Sequence, residues 1–374
     1  MTASPRIAGV EAIPLVVPGP RDFRISEGGT RTHVSVVLRV RTDVDGLEGI
    51  AEAVSAPPGK PEEFLEEIVG AVRRYVAPAI TGLAATERIA AMRRVEAVLK
   101  GRIWTKAALN NALWDLEGKV LGVPVSDLLG GRVTDRVPVI GPVLSMAAPD
   151  EMAARARALV EAGFTTLKLK VGETPERDVE RVRAVREAVG GAIALRVDAN
   201  DHYRPADAVR FIRAIEPYEP EHVEQPLPRH DLLGMAEVRR KVGVPLMTDD
   251  AVATPQDAAA VIRLGAADRV KVKVTKHGLD GARLLVGMLE AAGIGCVLGH
   301  VFEMGLAAAA EAQLALTAPN LCPPHEIGSL QPLGVTADIV TADLQPRRGE
   351  IRPPIGPGLG VALDPARLEE WRVR

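Results

Sequence analysis

The stretch TTLKLKVGET (residues 165–174) sets two lysines, Lys168 and Lys170, between Leu167, Leu169 and Val171. Side chains two apart on a strand share a face, so both ammonium groups point the same way. The intervening leucines and valine mark a strand whose other face is buried. Two like charges side by side in a dry interior are unfavourable unless something nearby needs them. The rest of the chain shows what that is.

From about residue 136 onward, short apolar runs alternate with helical patterns. VPVIGPVL is followed by PDEMAARARALVEAG, TTLKLKV by PERDVERVRAVREAVG, and ALRVD by PADAVRFIRAIEP. HVEQP, PLMTDD, RVKVKV and GCVLGHVFE continue the series, each before a helical stretch, and an eighth strand is expected near CPPHEIG. Strict strand–helix alternation argues for a parallel sheet covered by helices. A count near eight, with no dinucleotide fingerprint opening a helix, favours an α/β barrel over an open doubly wound sheet. Before this region, HVSVVLRV and LEGIAEAV flank Asp45-Gly46, a hairpin signal, and two helical stretches follow. The second of these ends at Gly122, with Pro124 just beyond. The last 45 residues or so, rich in Pro and Gly, are expected to pack back on the N-terminal part.

The chain has 374 residues, a net charge of -3 and 25% charged residues. No basic stripe points to nucleic acid, and no apolar run of about 18 or more points to a membrane span. Cys296 and Cys322 make no disulfide framework, and the N-terminus does not read as a signal peptide. A cytoplasmic protein is expected.

Active sites of such barrels lie at the C-terminal ends of the strands. The polar residues found there are Lys168 and Lys170, then Asp198 and Asn200, Glu224, Asp249 and Asp250, Lys271 and Lys273, His300 and Glu326. Steps from Lys170 to Asp198, Glu224, Asp249 and Lys273 are 28, 26, 25 and 24 residues, each about one strand–helix unit. Asp198, Glu224 and Asp249 therefore converge on one mouth, where they repel unless a cation lies between them. Hard oxygen donors in that number suit Mg²⁺, or Mn²⁺, rather than Zn²⁺. For any one acid alone, a helix cap or a solvated loop would explain it equally well. Lys170 and Lys273 flank the three. A substrate carboxylate on the metal would place its α-carbon between two amines, one of them crowded by Lys168. Crowding by a second ammonium and a dication lowers a lysine's pKa toward the range of a general base.

LKLKVG, RVDAN, VEQP, PLMTDD and VKVTKHG resemble, in order, the strand-end motifs of the enolase superfamily, and specifically its muconate-lactonizing (muconate cycloisomerase) subgroup. AALNNALWDLEGKVLGVPVSDLLGG and GPGLGVALD extend the resemblance over essentially the whole chain. It implies a modified TIM barrel, (β/α)7β, with an α+β capping domain built from N-terminal and C-terminal segments. On that basis the capping domain is expected over 1–130, the barrel over 131–328 and the returning segment over 329–374. The resemblance also implies Mg²⁺ on Asp198, Glu224 and Asp249, Lys170 and Lys273 as the acid/base pair with Lys168 in support, and Asn200 hydrogen-bonding near the metal carboxylates.

Three departures bear on substrate. Asp250 stands where the family commonly has Glu. HEIGS replaces the eighth-strand Asp-x-Asp of dipeptide epimerases, and Glu326 resembles the glutamate of the cycloisomerases. His300 resembles the seventh-strand histidine of mandelate racemase, but its sixth-strand partner is here Lys273, so a hydrogen bond to substrate, or a plain loop position, is expected rather than the role of base. RDFRISEGGTRTH (residues 21–33) reads as a mobile loop over the mouth, and Arg21, Arg24 and Arg31 are either solvated loop charges or the readers of a second anionic group on the substrate. The expected function is Mg²⁺-dependent movement of a proton α to a carboxylate through a metal-stabilised enolate. Cycloisomerisation of a muconate-like diacid leads. Racemisation or epimerisation of an N-substituted amino acid and dehydration follow, with a non-catalytic binding barrel as the distant alternative. Expected partners are a small-molecule carboxylate and further copies of the chain, from dimer to octamer.

Overall fold

A computed structural model of the chain describes residues 4–26, 28–55, 63–299, 301–328 and 330–373. It opens with an antiparallel sheet of β1 (Ile7–Ile25), β2 (Gly28–Thr42) and β3 (Glu48–Val54), in that order. Gly46, with φ 72°, turns β2 into β3 where the Asp-Gly pair stands. Helix α1 (Ile103–Leu121) packs on this sheet and stops at the left-handed Gly122, as its sequence predicts. Asp115 of α1 is fully buried and accepts the N–H groups of Ile50 and, from the C-terminal tail, Leu359. The tail also bridges β1 through Leu15 and Arg372.

The segment expected as a mobile loop is instead the far end of the β1–β2 hairpin, with Phe23 opposite Thr30 and Ile25 opposite Gly28. Phe23 supplies the reason. Its ring is buried, edge-on to Phe302 at 4.5 Å, so the hairpin end is docked on the barrel by an aromatic anchor.

Next come β4 (Val137–Pro138) and α2 (Pro149–Glu161), then β5 (Thr166–Lys170), α3 (Pro175–Val189), β6 (Ala194–Asp198) and α4 (Pro205–Ile215). They continue with β7 (His222–Glu224), α5 (Leu232–Arg239), β8 (Leu246–Thr248), α6 (Pro255–Leu264), β9 (Arg269–Val272), α7 (Val274–Ala291), β10 (Gly295–Leu298) and α8 (Gly305–Ala315). Proline at the first turn of α2, α3, α4 and α6 starts each helix where its missing N–H costs nothing.

Strands β5 to β10 form a continuous parallel sheet in chain order. The expected first and eighth barrel strands are reduced to bridges: Leu144 to Leu169, Val139 to His325, and Cys296 to Leu321. Pro138, Pro142, Pro323 and Pro324 fall in these two segments, and proline donates nothing to a ladder. Ile140 N–H to His325 O (2.9 Å) and Leu144 N–H to Lys168 O (2.9 Å) nevertheless close the ring. β4 also pairs with β11 (Glu350–Ile351) of the C-terminal segment.

Every residue of β5 is buried. Leu167 and Leu169 pack outward with Met152 and Ala156 of α2 and Val185 of α3, each such side chain contributing about 1.5–3 kcal/mol. That leaves Lys168 and Lys170 to the barrel interior. Among the described residues, no helix is long and apolar enough to cross a membrane.

Candidate active site

The interior lysines of β5 are answered by carboxylates from the next strands. Register pairs Lys170 with Asp198, and Asp198 with Glu224, on neighbouring strands. Lys168 Nζ lies 2.7 Å from Glu224, 2.8 Å from Glu326 and 2.9 Å from Asp198. Lys170 Nζ lies 2.7 Å from Asp198 and donates to Asn200 Oδ1 at 2.8 Å. Across the mouth, Lys273 Nζ is 2.8 Å from Asp249. The row therefore runs Lys170, Asp198, Glu224, Asp249, Lys273, all buried. Glu326 joins it at the centre through Lys168.

Asn200 is held in a left-handed conformation, φ 44°, with Asp201 beside it at 64°. This strained turn, of a kind that clusters at functional sites, aims the Asn200 N–H at Asp198 Oδ1, 3.0 Å away. The Asn200 carbonyl accepts from Ser26 of the hairpin at 2.8 Å. The hairpin end is thus tied to the strand end that carries Asp198. Arg24, exposed, is anchored there by its N–H to Ser145 Oγ (2.8 Å), while Arg31 pairs with Asp22 at 3.0 Å in solvent. Among the described residues, no hydrogen bond or ion pair joins Arg24 to the carboxylate row. His300 and the Arg21 side chain lie outside the described residues.

Two lysines in contact with the row were not counted among the catalytic candidates. Lys271 is buried between Glu224 Oε1 (2.6 Å) and Glu326 Oε2 (2.5 Å). Lys276, on the first turn of α7, contacts Asp250 Oδ1 at 3.3 Å. Lys271 repeats on β9 the alternation seen in LKLK, since Lys271 and Lys273 also sit two apart. That spacing was the signal available. Asp250, short as it is, is not idle: Arg229 (3.3 Å) and Lys276 hold it behind Asp249.

The charges shape one another. Burial alone would lower the Lys168 pKa, but Asp198, Glu224 and Glu326 hold it well above the usual lysine range. Burial lowers Lys170, opposed by Asp198 and aided by Lys168, in the direction that crowding predicts. Lys273 goes the other way. Burial would lower it, yet Asp249 and Asp250 outweigh burial and hold it charged. Burial would raise Asp198 and Asp249, but the surrounding lysines hold both low. Glu224 is pushed up to about 7 by burial and by Asp198.

These residues fit a hard divalent cation. Asp198, Glu224 and Asp249 are buried carboxylates on consecutive strands, the donor chemistry of Mg²⁺. Glu224 is itself paired with Lys168 at 2.7 Å and Lys271 at 2.6 Å. Among the described residues, a different group, His222, Glu224 and Glu326, brings its ligand-type atoms within 4.8 Å of one another. It is a poor cation site. Arg269 donates to His222 Nδ1 at 3.1 Å, so the proton of this neutral imidazole sits on Nε2, the atom that would have to bind.

Comparison with known proteins identifies the family. Residues 11–130 match the mandelate racemase / muconate lactonizing enzyme N-terminal domain, and residues 151–367 match the enolase C-terminal domain-like family. The chain is 32% identical to an N-succinyl-L-Arg/Lys racemase of Bacillus cereus over 98% of both chains. It is also 32% identical to muconate cycloisomerase 1 of Pseudomonas putida over 92% of both. A crystal structure of a dipeptide epimerase from Cytophaga hutchinsonii, complexed with Mg and the dipeptide D-Ala-L-Val, superposes with a TM-score of 0.91 at 28% identity, covering 98% of both chains. These relatives are all isomerases. Two matched family domains, an interior row of carboxylates flanked by lysines and similarity along the full length place this chain in the mandelate racemase/muconate lactonizing enzyme family of the enolase superfamily.

Proposed function

We propose that this isomerase removes and returns a proton α to the carboxylate of a small substrate, with Mg²⁺ held by Asp198, Glu224 and Asp249. One observation carries the proposal: Lys170 and Lys273 stand at the two ends of the buried carboxylate row, each bonded to its terminal acid. A substrate carboxylate drawn to the centre of that row has an amine on either side of its α-carbon. Lys170 serves one face and Lys273 the other, as base and conjugate acid. When bound, the ion supplies the positive charge that stabilises the negative charge spreading over the carboxylate as the proton leaves. Lys168 supports the row by linking Asp198, Glu224 and Glu326. Asn200 orients Lys170 by accepting from its ammonium.

Cycloisomerisation of a muconate-like diacid is the first outcome, favoured by Glu326 at the centre of the row. Racemisation or epimerisation of an N-substituted amino acid is the second, favoured by the two flanking lysines. The exposed guanidinium of Arg24, on the docked hairpin, is the group to read a second anion on either substrate. Arg31, paired with Asp22, is less suited.

The test is NMR in deuterium oxide, with Mg²⁺ and two probes: cis,cis-muconate, and N-succinyl-arginine as separate L and D forms. Lactone formation supports the first outcome. Solvent deuterium at the α-carbon of both enantiomers supports the second. A row that takes up no Mg²⁺, or turnover undiminished by excess chelator, overturns the mechanism common to both.

A further inference from the structure

Lys271 has no part in the mechanism above, yet it occupies a slot made for it. Its ammonium lies 2.6 Å from Glu224 Oε1 and 2.5 Å from Glu326 Oε2, and the residue is 1% exposed. Its methylenes run over Gly299, where any Cβ would overlap them, so the backbone at the end of β10 leaves the space. Lys168 holds the same Glu326 oxygen from the opposite side of the ring at 2.8 Å, and Arg196 stands 3.7 Å from the other. Two ammonium groups therefore hold one Glu326 oxygen, while the other, Oε1, is buried without a hydrogen-bond partner among the described residues.

This matters because of what Glu326 could otherwise do. Its ligand atom and that of Glu224 lie within 4.8 Å. Two oxygens on one Mg²⁺, each about 2.0–2.1 Å from it, are at most about 4.2 Å apart. A small rotation of an unrestrained Glu326 would bring a fourth carboxylate onto the ion.

We propose that Lys271 is a positioning residue that keeps the Glu326 carboxylate out of the metal's ligand set and so reserves it for the substrate. The inference rests on Glu224 being a metal ligand, as in the proposed function. Its chemistry is plain: an ammonium already satisfied by two carboxylates removes one of them from competition for the ion. It also lowers the negative field at Glu224, so metal affinity is traded for an eighth-strand acid kept off the ion.

Calorimetric titration of the purified protein with MgCl₂, and crystal structures grown with Mg²⁺, test this. Lys271→Met should bind Mg²⁺ about tenfold or more tighter than the wild type, since a buried positive charge beside a ligand is gone. In its structure a Glu326 oxygen should stand at ligand distance from the ion. The Lys271→Met/Glu326→Gln variant, whose cluster is again balanced, should return to within about threefold of the wild type. Lys271→Gln takes the place of Lys271→Met if the latter does not fold. Tighter binding with Glu326 still off the ion overturns the proposal, because the effect is then of the field alone. Unchanged affinity, or Glu326 already on the ion in the wild type, overturns it too. A wild type that binds no Mg²⁺ overturns the metal reading as well.

Discussion

Gly172 stands two residues beyond Lys170, and its replacement by alanine tests how the hairpin meets the barrel. Its φ is 122°, where side chains are rarely found, and an added Cβ would lie 2.5 Å from Ser26 Cβ and 3.1 Å from Ala199 O. The backbone strain is worth about 1–3 kcal/mol. The overlap with Ser26 also expels the hairpin end, losing the Ser26–Asn200 hydrogen bond at about 1 kcal/mol. Together these give about 2–4 kcal/mol against the docked state, or roughly 30- to 700-fold in its population. Hydrogen exchange should report this as lost protection at the amides of residues 23–30, with β5 to β10 unchanged. KM should rise with it. Ser26→Ala, which removes the hydroxyl but adds no clash, should show only the hydrogen-bond part. If Gly172→Ala keeps the hairpin amides protected, or is no worse than Ser26→Ala, the packing described for this junction is wrong.

Glu224→Gln removes one of three anionic donors; Mg²⁺ binding and turnover should be lost while circular dichroism is retained, and full turnover in this variant would refute the metal assignment. Lys170→Ala should abolish α-proton exchange for one enantiomer of a chiral probe by about 10²- to 10⁴-fold, and Lys273→Ala for the other; equal loss for both enantiomers in both variants would mean that one lysine only supports the charge. Asp338, pushed up to about 6 by burial and the nearby Glu52, caps Gly305 of α8. Its folded pKa lies above the unfolded value, so its contribution to stability is largest in acid and is lost as pH rises from about 4 to 6. Urea denaturation of Asp338→Asn across that window should show a flatter profile than the wild type, and a profile that stays parallel would count against the linkage.

Much of this protein is legible in one dimension. Alternation of two-residue and helical periods from residue 136 determines a parallel barrel, because each strand must be buried on both faces and each helix on one. Spacing near one strand–helix unit determines that Lys170, Asp198, Glu224, Asp249 and Lys273 share one end of that barrel, since equivalent strand positions face the same way. Contacts that arise between elements far apart in sequence were decided only in three dimensions. Residues 21–33 carry the charge and glycine of a loop, yet Phe23 finds Phe302 and holds them as a hairpin. The prolines of the first and eighth barrel segments thin the ladder to bridges, while hydrogen bonds from neighbouring strands still close the ring. Lys271 takes its surroundings from Gly299 and Glu326, which only the fold brings against it. Charge balance decided the lysines: LKLK shows two ammonium groups on one face, but the neighbouring acids make Lys168 and Lys273 strongly basic and leave Lys170 lowered. A desolvated charge takes its properties from whatever lies within a few ångströms, and that neighbourhood is made by the fold.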